Sequence, residues 1–370
     1  MSKNITLGYV VDNNGNLIEE YLKLQEEFEK KWGERTIVII EVGKFFEIYG
    51  VVNEKEKRGR IYEIAEFTNL TISKKNNKMA PISLNNPLMA GVPNYTISKW
   101  LDIFIKHNYT VIKIDQDAHG EDIKNKKPLR TITDIISPGI NLDSNRYSNN
   151  IMALNFEEYP DYKTNKTILQ IGISVIDMTT GESWVYETHS NVDDYYFCLD
   201  EGFRFMQTYN PVELIIHFEK TSLTKDKLIN YLELPVHNVY FDIYKDKNIL
   251  SNSYKEHILK KVFPDTNVLT PVEYIHLDKM HFALNSFIYL IHFAYEHNET
   301  IINRLQRPVI CDPKKYLNLS RDSISQLDIF SNKNIEFKKY RSLWNILDKT
   351  KTSLGKRFLK QNLLHPILDI

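Results

Sequence analysis

In the run Gly43-Lys44-Phe45-Phe46-Glu47, two aromatic rings and a carboxylate follow directly on an apolar stretch, TIVIIEV, at 36–42. In an extended chain, residues two apart share a face and lie about 6.5–7 Å from each other. Phe45 and Glu47 therefore project together with Tyr49 beyond them, while Phe46 and Ile48 face the other way. Gly43 has no side chain, which permits a bulge or a close backbone approach there. The pair has two readings. In one, Phe45 belongs to a core and Glu47 pairs with a nearby lysine. In the other, the ring is a wedge that unstacks two bases, at a cost of a few kcal/mol. Stacking on a base returns roughly 1–3 kcal/mol. Insertion then wins only where the step is already weak, as at a mispaired base. A carboxylate is repelled by phosphates, so it weakens non-specific binding, yet it can accept a hydrogen bond from a displaced base. Facing a base acceptor, it must itself be protonated. Such an acid discriminates rather than attracts.

Other chemistry-bearing residues form no comparable set. Cys198 and Cys311 are far apart and lie in no CxxC pattern, so neither a disulfide framework nor a metal site is expected. His276 and His281, like His292 and His297, are five apart, which on a helix does not put both rings on one face; surface or core roles are expected, with no metal. Asp177, Glu182, Asp193, Asp194 and Asp200 show no metal-binding spacing, and no catalytic residue is assigned. No GxxxxGK[ST] occurs, so no phosphate loop for nucleotide is expected within these 370 residues.

A chain of 370 residues is too long for one ordinary core, and two or three domains are expected. Net charge of −1 argues against a uniformly basic nucleic-acid binder but allows local patches. From Lys44 to Lys78 there are eight Lys/Arg against five Asp/Glu, and EDIKNKKPLR at 121–130 is also basic. Lys44, Lys74, Lys75 and Lys78 are candidates for backbone phosphate contact, with plain solvation as the ordinary alternative. No signal peptide and no apolar run near 20 residues is present. These features point to a soluble, intracellular protein with no membrane partner.

Three kinds of segment follow one another. LIEEYLKLQEEFEKKWG (17–33) reads as a helix ending at Gly33, 36–42 as a strand buried on both faces, 97–108 as a helix and 109–116 as a strand. This is an α/β domain at 1–136. The polar, Pro- and Gly-containing stretch 137–150 reads as a linker. Strand signals at 151–157, 167–180, 182–188 and 212–218, a hairpin turn at Thr180-Gly181 and a helix at 194–210 predict a second α/β domain at 151–250. From about 272 the pattern turns helical, and 251–370 is expected to be the start of a helical domain. A helix at 277–298 takes Asp278 as N-cap, and a closing helix takes Thr352 or Ser353 as cap and carries Leu354, Phe358, Leu359 and Leu363. These helices have more apolar face than they can hide, so further protein is expected to follow.

Gly43-Lys44-Phe45-Phe46-Glu47 resembles the Gly-x-Phe-(Tyr/Phe)-Glu mismatch-sensing motif of the MutS family of DNA mismatch-repair proteins. PLMAGVPNYTISKWLDIFIKHNYTVIKIDQ (87–116) is similar to the family's Met-Ala-Gly-Val-Pro loop, next helix and strand ending in acid-Gln. RTITDIISPGINLD (130–143) resembles the exit from the first domain. ISVIDMTTGESWVYET (173–188) and QTYNPVELII (207–216) resemble the connector domain, and 340–369 the start of the helical core. Five collinear segments make the resemblance specific. It implies a mixed-sheet mismatch-recognition domain, an RNase H-like connector and an all-α core segment cut before clamp and ATPase. It also implies that Phe45 is the intercalating wedge and Glu47 the base-contacting acid, with Gly43, Gly91 and Pro93 shaping the fold. The implied partners are double-stranded DNA with mispairs or small loops, a second MutS-type subunit in a homodimer or heterodimer, and downstream repair factors. ATP and Mg²⁺ are expected only for a full-length, DNA-dependent ATPase, and the setting is a DNA-containing compartment. Phe46 stands where Tyr is frequent. Lys44 replaces the acid usual in bacterial members and resembles the eukaryotic mismatch-binding subunit, while the composition suits a giant-virus or organellar member. Two alternatives are a docking module without mismatch sensing and, by analogy with its sheet, a metal-dependent nuclease.

Overall fold

The computed structural model of the chain describes residues 8–11, 16–76, 78, 81–121, 128–140, 149–162, 166–245, 247–312, 316–317, 319–330 and 342–368. Most of the basic stretch 121–130, the centre of the linker 137–150 and residues 340–341 of the closing segment lie outside them. Packing divides the chain into two compact units, Met1–Ser144 with Ala294–Glu299, and Asn145–Phe293 with Thr300–Ile370.

In the first unit the β-branched run forms β1 (Thr36–Val42), whose branched side chains suit a strand with neighbours on both sides. Helix α1 (Leu17–Trp32) precedes it. Asn16 caps α1 by accepting from the Ile18 amide at 3.1 Å, Glu19 and Glu20 lie in its first turn and Lys30 and Lys31 in its last, and Gly33 ends it at φ 90°. The remaining strands are β2 (Phe45–Val52), β3 (Lys57–Arg58), β4 (Ser73–Lys74), β5 (Leu88–Pro93), β6 (Thr110–Glu121) and β7 (Pro128–Ile136). Their order is β4-β5-β2-β1-β6-β7, with β3 on β2. Among the described strands of this unit only β1 and β6 run parallel, and that pairing needs a crossover. Helices α2 (Ile61–Thr68) and α3 (Ile97–Lys106) lie within it and cover one face, where Phe46, Ile48 and Val92 meet Ile61, Ile64 and Phe104.

Helix α1 covers the opposite face, packing on β1 and β2. The two strands pair only between 40–42 and 45–47, after which β2 leaves β1. The stranded backbone groups of β1 are satisfied from α1. Gln25 donates to the Thr36 carbonyl at 2.7 Å and accepts from the Val38 amide at 2.8 Å, and the Tyr21 hydroxyl donates to the Val38 carbonyl at 2.8 Å.

The second unit opens with an antiparallel meander, β8 (Asn150–Pro160), β9 (Thr167–Asp177) and β10 (Ser183–His189). Helix α4 (Phe197–Tyr209) leads to β11 (Glu213–Lys220), parallel to β8, and α5 (Lys225–Leu232) to β12 (Val239–Phe241), parallel to β11. The order β12-β11-β8-β9-β10 is the RNase H-like arrangement expected of a connector. Its core joins Leu154, Ile171 and Ile173 of the sheet to Leu199 and Phe203 of α4.

The helical part comprises α6 (Asn252–Val262), α7 (Pro271–Tyr274), α8 (His281–His297), α9 (Arg321–Gln326), α10 (Leu343–Leu347) and α11 (Ser353–Leu364). It is not purely helical, because β13 (Val309–Ile310) extends the sheet beside β10. Asp278 is not the cap of α8. The chain turns at 275–276 and 278–279, and the first helical residue is His281. Thr352 does cap α11, accepting from the Gly355 amide at 3.1 Å. By packing, the stretches 151–250 and 251–370 share the second unit, apart from Ala294–Glu299.

Candidate functional site

Gly43 and Lys44 form a two-residue hairpin loop between the paired residues Val42 and Phe45. Gly43 adopts φ 63° and Lys44 a negative φ, the pattern of a type II′ turn, which places glycine first. The expected bulge or close approach is therefore corrected. A Cβ on Gly43 would meet nothing within 4 Å, and it is the backbone dihedral that requires glycine.

The hairpin is tied down from three directions. Gln116 Oε1 accepts from the Gly43 amide at 3.3 Å and from Arg130 Nη2 at 3.1 Å. Arg130 Nε donates to the Glu41 carbonyl at 3.0 Å, and the Glu41 carboxylate accepts from the Gln116 amide at 3.0 Å and Asn94 Nδ2 at 3.3 Å. The Asn94 amide donates to the Lys44 carbonyl at 2.9 Å. Burial depresses the pKa of the Arg130 guanidinium, opposed by Tyr49, Glu41 and Glu47 nearby.

On this base the side chains alternate as the spacing predicts. Phe45 is 47% exposed at the rim of the sheet, whereas Phe46 is 5% exposed and packed under α2 and α3. Glu47 is half-buried. Its partner is the Tyr49 hydroxyl, which donates to Oε2, and not a lysine. Burial, then this bond, raises the Tyr49 pKa far above the ordinary phenol range. Gly91 stands opposite Glu47 and Pro93 opposite Phe45. Tyr95, two residues past Pro93, is 85% exposed.

Of the candidate lysines, Lys44 is exposed on the hairpin itself, and Lys75 holds its ammonium 5.9 Å from the centre of the Tyr49 ring. Lys74 is half-buried in β4, and Lys78 is exposed in a turn where its amide bonds Asn76 Oδ1. Arg130, Gln116, Asn94 and Tyr95 carry no local signal that marks them as part of the site, because the anchoring by the first three depends on segments far apart in sequence meeting at the hairpin.

The other candidates do not converge. Asp177 accepts from the Thr179 amide, Asp193 faces Lys166, and Asp200 accepts from Tyr231 and the Arg321 amide. His276 is exposed beside Arg307, His281 is exposed, His292 meets the Tyr254 hydroxyl, and His297 is buried. Among the described residues, no three His, Cys, Asp or Glu side chains are placed to share a metal ion. No described helix is long and apolar enough to cross a membrane.

Residues 17–145 match the model of MutS domain I, and residues 322–370 that of MutS domain III. A mutS homolog of Acanthamoeba polyphaga mimivirus is 32% identical over 375 residues, covering 94% of this chain and 33% of the relative. The chain belongs to the MutS family. DNA mismatch repair protein MutS of Caldanaerobacter subterraneus is 27% identical over 365 residues, covering 95% of the chain and 36% of that protein. MutS of Petrotoga mobilis is 25% identical over 362 residues, with 95% and 37% covered. The chain thus spans about a third of the length of the curated MutS relatives it matches.

Proposed function

We propose that this chain is the sensing and connecting part of a mismatch-repair protein that binds duplex DNA at mispairs or small loops. The observation that carries the reading is the exposed Phe45 ring at the sheet rim, with Glu47 on the same face, in a MutS-family chain. The ring enters a step weakened by mispairing, where the unstacking cost of a few kcal/mol is already partly met. The carboxylate bonds the displaced base. Lys44 and Lys75 are the lysines best disposed to meet phosphates, because one rides on the hairpin and the other lies above Tyr49. The anchoring of the hairpin by Gln116, Arg130 and Asn94 supports the reading, since a wedge fixed before binding loses less freedom on insertion.

Residues 1–136 act as the mismatch-recognition domain, 151–250 as connector and 251–370 as the start of the helical core. Pairing with a second MutS-type subunit, hand-over to repair factors, and control by ATP and Mg²⁺ belong to a longer protein working where its DNA lies. The test is the affinity of the full-length protein for mismatched and matched duplexes, with and without ATP. Phe45→Ala is expected to bring the two affinities together. An unchanged ratio sinks the wedge, and binding with no slope against log salt would favour the docking-module reading.

A further inference from the structure

We propose that Tyr49 and Gly91 are positioning residues for Glu47, holding its carboxylate in one orientation toward the displaced base. This rests on the reading of Glu47 as the base contact. A glutamate on a sheet face has several rotamers, and a free one would meet a base in many poses. Here the Tyr49 hydroxyl occupies Oε2, while Oε1 makes no hydrogen bond among the described residues. One oxygen is held and the other is left to act.

The tyrosine is itself fixed. Its buried ring meets Tyr21 of α1 edge-on, with centroids 5.3 Å apart and planes at 81°, and the Tyr21 hydroxyl is bound to the Val38 carbonyl. A buried phenol needs a partner for its hydroxyl, and the partner here is the acid two residues before it on the same face. Gly91 supplies the room. A Cβ built there would lie 3.2 Å from Glu47 Cγ and 3.1 Å from the Phe46 carbonyl oxygen, so any larger residue crowds the stem of the acid. The arrangement runs from α1 through Tyr21 and Tyr49 to Glu47, with Gly91 as the open wall.

The experiment is a double-mutant cycle on the full-length protein, read as the ratio of affinities for a G·T-mispaired and a matched duplex. Tyr49→Phe keeps the ring and removes only the hydroxyl. The expected result is a fall in the ratio of about threefold to tenfold, the worth of one hydrogen bond. No further fall is expected in a Glu47→Ala background. Gly91→Ala should behave likewise, lowering the ratio with Glu47 present and leaving it unchanged once Glu47→Ala has been made. If Tyr49→Phe leaves the ratio unchanged, or lowers it equally in both backgrounds, the positioning role is overturned. If instead Phe45→Ala and Glu47→Ala leave the ratio unchanged, the base-contact reading falls first and takes this inference with it.

Discussion

Phe45 and Phe46 are adjacent and chemically identical but lie on opposite faces, one exposed and one buried, so the wedge proposed for Phe45 and the packing of Phe46 can be tested separately within one dipeptide. Phe46 fills the core under α2 and α3, and its replacement by Ala is expected to cost about 3–5 kcal/mol, measured as a lower urea midpoint. Phe45 is half in solvent, and Phe45→Ala should change stability by no more than about 0.5 kcal/mol. Equal losses at the two positions would contradict the alternation of faces. That alternation was legible in the sequence because period 2 is a property of any strand. The partner of Glu47 was not. The sequence offered many lysines, and only the burial of Tyr49 decides that its hydroxyl must turn to the acid. In hindsight the spacing Phe-x-Glu-x-Tyr carried a signal: a hydroxyl on the same face, one step deeper under the covering helix.

At the scale of elements, what could be read was the identity of strands and helices with strong periodicity, and what could not was how they turn and end. The β-branched run of β1 and the capped, charge-ordered helix α1 stood out because local chemistry suffices to define them. The Gly43-Lys44 turn went unread because the apolar run and the aromatic pair look like one continuous strand until antiparallel pairing folds them on each other. Likewise β6 runs to Glu121, past the end expected at 116, because β7 pairs with it. Asp278 had the right chemistry for a cap but sits in a turn before the helix starts. The turn makes its own prediction. Gly43→Ala places a Cβ in the left-handed region and should destabilise the first unit by roughly 1–2 kcal/mol. Because nothing crowds the site, Gly43→Asn, which tolerates positive φ better, should lose less. A urea series over the three proteins checks the order Gly, Asn, Ala.

At the scale of the molecule, the second unit is closed by residues far apart in sequence, and this closure makes its stability depend on pH. After more than a hundred residues the chain returns to lay β13 on β10 and to set His365, just past α11, against α4. Arg204 Nη1 donates to His365 Nδ1 at 3.1 Å. The Thr208 hydroxyl spends its proton on the Arg204 carbonyl, so His365 Nε2–H donates to Thr208 Oγ1 at 2.9 Å. The ring is thereby held neutral, and burial with the Arg204 cation nearby pushes its pKa down to about 4. His217, stacked on Tyr289 at 3.7 Å, is pushed down by burial to about 3. Both folded values lie below the ordinary 6.5. Between them and 6.5 the unfolded chain binds protons that the folded chain does not, so stability is full above pH 6.5 and falls as the solution is acidified. The loss is at most about 1.4 kcal/mol per pH unit for each histidine. His365→Gln can still accept from Arg204 and donate to Thr208 but cannot titrate. Hydrogen exchange of the β9 amides in urea at about pH 7 and pH 5 should therefore show a smaller acid loss in the variant than in the parent. Equal losses would mean that His365 does not couple the end of α11 to the sheet in the way its bonds imply.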